Sequence, residues 1–184
     1  MEFFNLFSQS RELRQALEQS RVRLYRMAYA WCHNAALADD LAQEALTKAL
    51  RKSSQLRDPK ARDAWLFSIL TNCYRDHFRR QRDMDDIDDV ELSDETTPES
   101  HSSRQEIVVK VRAAIGQLPE GQSQVVTLVD LAGFSYVAVA TILGVPIGTI
   151  MSRLCRARNA LRALLVPQLE RQNTVPGVAL RRIK

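Results

Sequence analysis

Between Ser135 and Arg162 the chain reads SYVAVATILGVPIGTIMSRLCRARNALR, and few folds accommodate that order of residues. It spells two short helices joined by a tight turn. In the first, Val139 and Leu143 are apolar four apart, and the small Ala140 lets a second helix cross closely. Gly144 ends that helix, because glycine takes the left-handed conformation favoured at a helix C-terminus, and Pro146 suits the start of the next. Along the second helix Ile150, Leu154, Ala157 and Leu161 fall on one face, predicted to pack inward. Thr149, Ser152, Arg153 and Arg156, at i, i+3, i+4 and i+7, fall on the other, and Gly148 leaves the helix N-terminus unobstructed. In a helix-turn-helix the second helix enters the DNA major groove by its N-terminal end. There arginine pairs with guanine, while Ser and Thr more often position the backbone. A helical hairpin with a solvated basic face is the plainer reading of the same pattern.

Charge along the chain supports a polyanionic partner. The formal net charge of +4 hides an uneven distribution: nine of the 22 acidic residues lie between Asp83 and Glu99, and no Lys or Arg interrupts residues 83–103. Setting that segment aside leaves 13 acids against 26 bases, so the remainder is strongly basic. The opening MEFFNLFSQSRELRQ lacks the basic region and long apolar run of a secretory signal, and no window approaches a membrane span. A cytoplasmic protein without membrane insertion is expected. Cys32, Cys73 and Cys155 are odd in number and widely spaced, which predicts reduced thiols rather than a disulfide framework or zinc knuckle. Cys73 and His77, or His33 beside Cys32, could in principle share a metal, but two residues do not make a site. No metal and no cofactor are expected.

Upstream, residues from about Glu12 to Gln19 read as a short helix, and a longer one follows with Leu24, Met27, Ala28 and Trp31 on one face. After Asn34, Leu37, Leu41, Ala45 and Ala49 recur every four residues, while Asp40, Gln43, Glu44 and Lys48 form a separate polar row. Asp39 and Asp40 suit a helix first turn, where carboxylates meet the positive end of the dipole. Gln43 and Glu44 lie deeper in the helix and are not explained that way; a solvated face is their plainer reading. KALRKSSQLRDPKAR then places a loop at Ser53, Ser54, Asp58 and Pro59, with Lys52, Arg57, Lys60 and Arg62 suited to a nucleic-acid path.

The next helix starts near Asp63, with an apolar side of Trp65, Leu66, Ile69, Leu70, Cys73 and Tyr74. Asn72, Arg75 and Arg79 recur at i, i+3 and i+7, with Arg80 and Arg82 beyond. Such a face can hold an unpaired strand by its phosphates, although the same bases also complement the helix dipole. The acidic, polar stretch that follows reads as a linker. A second helical domain opens with Ile107, Val108, Val111, Ala114, Ile115 and Leu118. A helix after Pro119 is expected to pack Val125, Val126, Leu128, Val129 and Leu131 over the helix-turn-helix and to stop at Gly133. The fold class is therefore all-α: two small helical domains joined by a flexible acidic linker, the second containing the helix-turn-helix.

Taken in series, DDLAQEALTKAL, AWLFSILTNCYRDHFRR and LPEGQSQVVTLVDLAGFSYVAVATILGVPIGTIMSRLCRARNALR closely resemble the bacterial extracytoplasmic-function (ECF) sigma factors over nearly the whole chain. The resemblance implies a dissociable specificity subunit of RNA polymerase, with residues 1–82 as a region-2-like domain, 83–104 as linker, 105–166 as a region-4-like domain and 167–184 as a basic tail. It implies that Asp39, Asp40, Leu41, Gln43 and Glu44 dock on the clamp of the largest core subunit, with the flap as a further contact. Lys52, Arg57, Lys60, Arg62, Asn72, Arg75, Arg79 and Arg80 would recognise and open the minus-ten element. Gly148, Thr149, Ser152, Arg153 and Arg156 would read the minus-thirty-five element. An anti-sigma factor is the implied regulator, and it could hold the protein at the inner membrane.

The chain departs from the family where Val137 and Ala138 replace the usual acidic residues and Met151 replaces a frequent base. Those positions motivate an alternative, a sigma-like decoy that binds an anti-sigma factor or core polymerase without initiating. A duplex regulator that uses only the second domain would leave the first unexplained. The three histidines and scattered carboxylates form no nucleophile-base set or metal spacing, so an enzyme is not expected.

Overall fold

Leu17, Ser20, Leu24, Met27 and Trp31 are all buried, and their spacings of three and four carry one stripe along the first helix. The computed structural model describes residues 2–56, 58–85 and 103–173, in which seven α-helices occur and no strand. That stripe lies on α1 (Glu2–Cys32). The sequence predicts two helices here. The structure has one, because no glycine or proline interrupts the run between Gln19 and Leu24. It ends at His33, whose φ of 52° is left-handed, and Asn34 then caps α2 (Ala35–Arg51) by accepting from the Leu37 N–H at 2.9 Å. Ala38, Leu41, Ala42, Ala45 and Ala49 are buried on α2, and these mostly small side chains let it lie close against α1. Asp39 and Asp40 stand in the second turn, not the first, so they do not serve the dipole role expected of them.

Two short 3-10 turns, Ser53–Gln55 and Pro59–Ala61, carry the chain across to α3 (Arg62–Asp85), with Asp58 accepting from the Lys60 N–H at 2.9 Å. Leu66, Phe67, Ile69, Leu70, Thr71, Cys73 and Tyr74 form the inner side of α3. Most of the predicted linker, residues 86–102, lies outside the described residues, as does Arg57.

The second half comprises α4 (Ser103–Gly116), α5 (Glu120–Val126) running into a π-helical turn (Thr127–Leu131), α6 (Tyr136–Leu143) and α7 (Ile147–Asn173). The wider turn, closed by Ala132 N–H to Thr127 O at 2.9 Å, shifts Leu131 off the inner face. Leu131 is 62 % exposed and does not pack over the helix-turn-helix as expected. Among the described side chains of α4 only Ala114 and Ile115 are buried, and Ile107 and Val108 are exposed. Ser135 caps α6 through the Ala138 N–H, and Gly144 closes it in the left-handed conformation at φ 65°. Pro146 precedes α7 instead of opening it, its carbonyl accepting from Thr149 and Ile150. Helices α6 and α7 meet at 104°, the crossing of a helix-turn-helix. Past Pro167, where the tail is predicted to begin, α7 continues to Asn173; residues 174–184 lie outside the described residues. No single described helix is long and apolar enough to cross a membrane.

The two halves share one core. Trp31 Nε1–H donates to Thr127 Oγ1 at 2.8 Å in the buried interior, and the Phe67 and Phe134 rings meet edge to face at 5.1 Å. Gly116 lies so close to His33 that a Cβ there would fall 2.6 Å from the imidazole Nε2.

Candidate functional site

On α7, Ile150, Leu154 and Ala157 are buried beneath α5 and α6, which turns the opposite face outward. Gly148, Ser152 and Arg156 are exposed there, and no atom lies within 4 Å of where a Gly148 Cβ would stand. Arg156 Nε–H donates to Ser152 O at 3.3 Å, and Ser152 Oγ–H to Thr149 O at 3.1 Å, so the polar row is partly knitted along its own helix. Thr149 and Arg153 sit at the flank, half-buried. Arg153 folds back over α5, where a Cβ on Gly121 would come within 3.0 Å of its guanidinium carbon. Cys155 and Asn159 complete the outward row at i+7 and i+11 from Gly148, and Met151 is 54 % exposed beside it. The sequence reading did not place Cys155 and Asn159 on this row, whereas it marked Met151 as standing where a base is frequent. The helical period read from Gly148 instead of from the charged residues would have found the first two. Arg158 donates twice to Asp130, at 2.6 and 3.1 Å, which ties α7 to the π-helical turn and holds the guanidinium protonated well above its ordinary range.

A second basic surface runs along α3 and the loop before it. Lys52, Lys60, Asn72, Arg75, Arg79 and Arg80 are exposed, while Arg62 is half-buried with its Nε 3.7 Å from Asp63. The other three arginines are hydrogen-bonded. One Arg75 NH2 donates to Leu143 O at 2.8 Å, at the C-terminal end of α6; Arg79 donates to the Asp76 carboxylate at 3.1 Å, and Arg80 to the Asp76 carbonyl at 3.1 Å. Asp76, which also lies 3.8 Å from Lys48, is an acid within this basic face that the sequence reading passed over.

The polar row of α2 forms a third surface. Asp40 and Gln43 are exposed, and Asp39 and Glu44 partly so. Asp39 accepts from Arg21 at 3.0 Å and from Gln43 Nε2–H at 2.7 Å, and these hydrogen bonds hold its carboxyl below the usual carboxylate range. Glu44 pairs with Lys48 at 2.8 Å. Leu41 is the exception: at 1 % exposure it belongs to the core, since its spacing of four from Leu37 and Ala45 places it on the inner stripe.

Burial raises the thiol pKa values of Cys73 and Cys32, and Cys32 donates to Asn34 O at 3.3 Å. Among the described residues no group of three or more His, Cys, Asp or Glu is arranged to hold a metal.

Known proteins match this arrangement. The family model for Sigma-70 region 2 matches residues 17–84, and that for Sigma-70 region 4 matches residues 109–161. The chain is 40 % identical over 136 residues to the ECF RNA polymerase sigma factor EcfG of Rhodopseudomonas palustris, covering 72 % of this chain and 73 % of that one. It is 38 % identical over 149 residues to the RNA polymerase sigma-H factor of Pseudomonas aeruginosa, covering 74 % and 77 %. Among solved structures, the sigma factor RpoE in complex with the anti-sigma factor NepR from Bartonella quintana is similar with a TM-score of 0.75 at 33 % identity, covering 84 % of this chain and 96 % of that one.

Proposed function

The chain belongs to the extracytoplasmic-function sigma factors of bacterial RNA polymerase, and from that premise we propose how its surfaces divide the work of starting transcription. It is an alternative sigma factor that binds core polymerase and directs it to promoters. Asp39, Asp40, Gln43 and Glu44 on α2 dock on the clamp of the largest subunit. Lys52, Lys60, Arg62, Asn72, Arg75, Arg79 and Arg80, with Arg57 added from the sequence, take the minus-ten element and hold its opened strand. Gly148, Thr149, Ser152 and Arg156 read the minus-thirty-five duplex, with Arg153 bracing the helix that carries them. Residues 1–82 and 105–166 act as the two promoter-facing units, joined by 83–104 and followed by the tail at 167–184. An anti-sigma factor regulates the chain in the cytoplasm.

The observation that carries this reading is α7 itself: a helix set at 104° to α6, its inner face buried and its N-terminal outer face open, with an unobstructed glycine and an arginine two turns on. Transcription by purified core polymerase on a library of genomic promoter fragments, with and without the chain, tests it. Chain-dependent starts that share two spaced upstream elements are expected. Core binding without any such start would favour the decoy reading, and failure to bind core would undo the role given to α2.

A further inference from the structure

The part of α7 that enters a groove first is mostly apolar. From Ile147 to Cys155 its single charged residue is Arg153, and that side chain lies back over Gly121. Met151 is exposed, with the exposed Ile147 one turn before it on the same flank and the exposed Cys155 one turn after. The first arginine on the open face is Arg156, two turns into the helix. Met151 carries no donor for guanine and no charge for phosphate. In the major groove the one apolar group on a base edge is the 5-methyl of thymine. A flexible, polarizable thioether fits such a group well.

We propose that Met151 is a specificity-determining residue of the upstream element, selecting thymine through contact with its 5-methyl group. This rests on α7 being the duplex reader of a sigma factor. A base at this position would tie the helix to phosphate or to guanine. Methionine instead moves the preference at the base pairs nearest the helix N-terminus toward T·A, and it leaves guanine recognition to Arg156.

The test uses the full chain with core polymerase. A duplex pool randomised in the upstream element is selected for binding, and the enriched duplex is remade with each thymine replaced in turn by deoxyuridine. Uracil pairs identically and lacks only the methyl. For the unaltered chain, one replacement should weaken binding about four-fold, the effect of one buried methyl-sized group. Met151→Ser should bind the thymine duplex correspondingly less well and no longer distinguish thymine from uracil there. Met151→Leu should keep the distinction. Because Met151 is exposed, all three proteins should melt at the same temperature. Indifference of the unaltered chain to every uracil, or an unchanged thymine preference in Met151→Ser, overturns the proposal while sparing the sigma reading. A pool that yields no enriched sequence, on a chain that binds core, defeats the reading on which it rests.

Discussion

Arg153 and Arg156 share a residue type and stand three apart on one helix, yet their neighbours assign them different tasks. Arg156 is exposed and tethered only to its own helix, so it is free to swing onto a guanine edge. Arg156→Ala should cost about 1–3 kcal/mol of promoter affinity, measured by competition binding against random DNA, with little change in melting temperature. Arg153, lying over Gly121, should show the reverse: Arg153→Ala lowers the melting temperature and weakens specific and random DNA alike. Spacing alone put both on the reading face, because a helical period gives the direction of a Cβ and says nothing of where a long side chain comes to rest. The cysteines test the same face chemically. Cys155 is exposed, whereas burial raises the pKa of Cys73 and Cys32 and so depletes their reactive thiolate at neutral pH. A maleimide should therefore label Cys155 first, and promoter duplex should slow that labelling. Equal labelling with and without bound DNA would show that this face is not the one occupied.

At the scale of the element, Gly144 and Gly148 flank one turn and serve opposite ends. Gly144 is left-handed, and nothing crowds the place of its Cβ, so Gly144→Ala should cost about 1–2 kcal/mol from backbone strain alone. Gly148 is ordinary helix with equal space around it, so Gly148→Ala should stabilise the fold by up to about 1 kcal/mol. The same methyl would stand where the helix end meets DNA. Thermal unfolding together with binding should show Gly148→Ala melting higher and binding promoter more weakly. The turn was legible because glycine and proline chemistry is local, and α2, α3 and the inner stripe of α7 were legible because three- and four-residue spacing is local too. The single α1 was not, since its stripe passes through Ser20, a polar residue that only its burial against other helices reveals as core. Nor was the outward turn of Leu131, which follows from one wider turn of backbone that residue types do not encode.

For the whole molecule, the contacts between halves were the least legible part, because each joins residues far apart in sequence. Trp31 read as a core position of one helix and Thr127 was not singled out at all, but together they make a buried hydrogen bond. Thr127→Val would leave the Trp31 N–H without an acceptor in the interior and should cost about 1–3 kcal/mol in denaturant unfolding. The arrangement those contacts hold also bears on function. Promoter elements at minus thirty-five and minus ten lie about 25 base pairs apart, roughly 85 Å along the duplex. A compact chain of this length has a radius of gyration of only about 16 Å. Arg75, proposed for the minus-ten strand, meanwhile holds the end of α6, so α3 and the helix-turn-helix cannot each reach their element while that bond and the shared core persist. Dyes placed at the exposed Glu18 and Ala163, in a chain with Cys155 replaced by Ser, should show high energy transfer in the free protein and low transfer in the polymerase–promoter complex. Thr127→Val should shift the free protein toward the low-transfer state. Undiminished transfer in a complex that transcribes would mean that one reading face has been assigned to the wrong helix, since a chain that stays closed cannot span both elements.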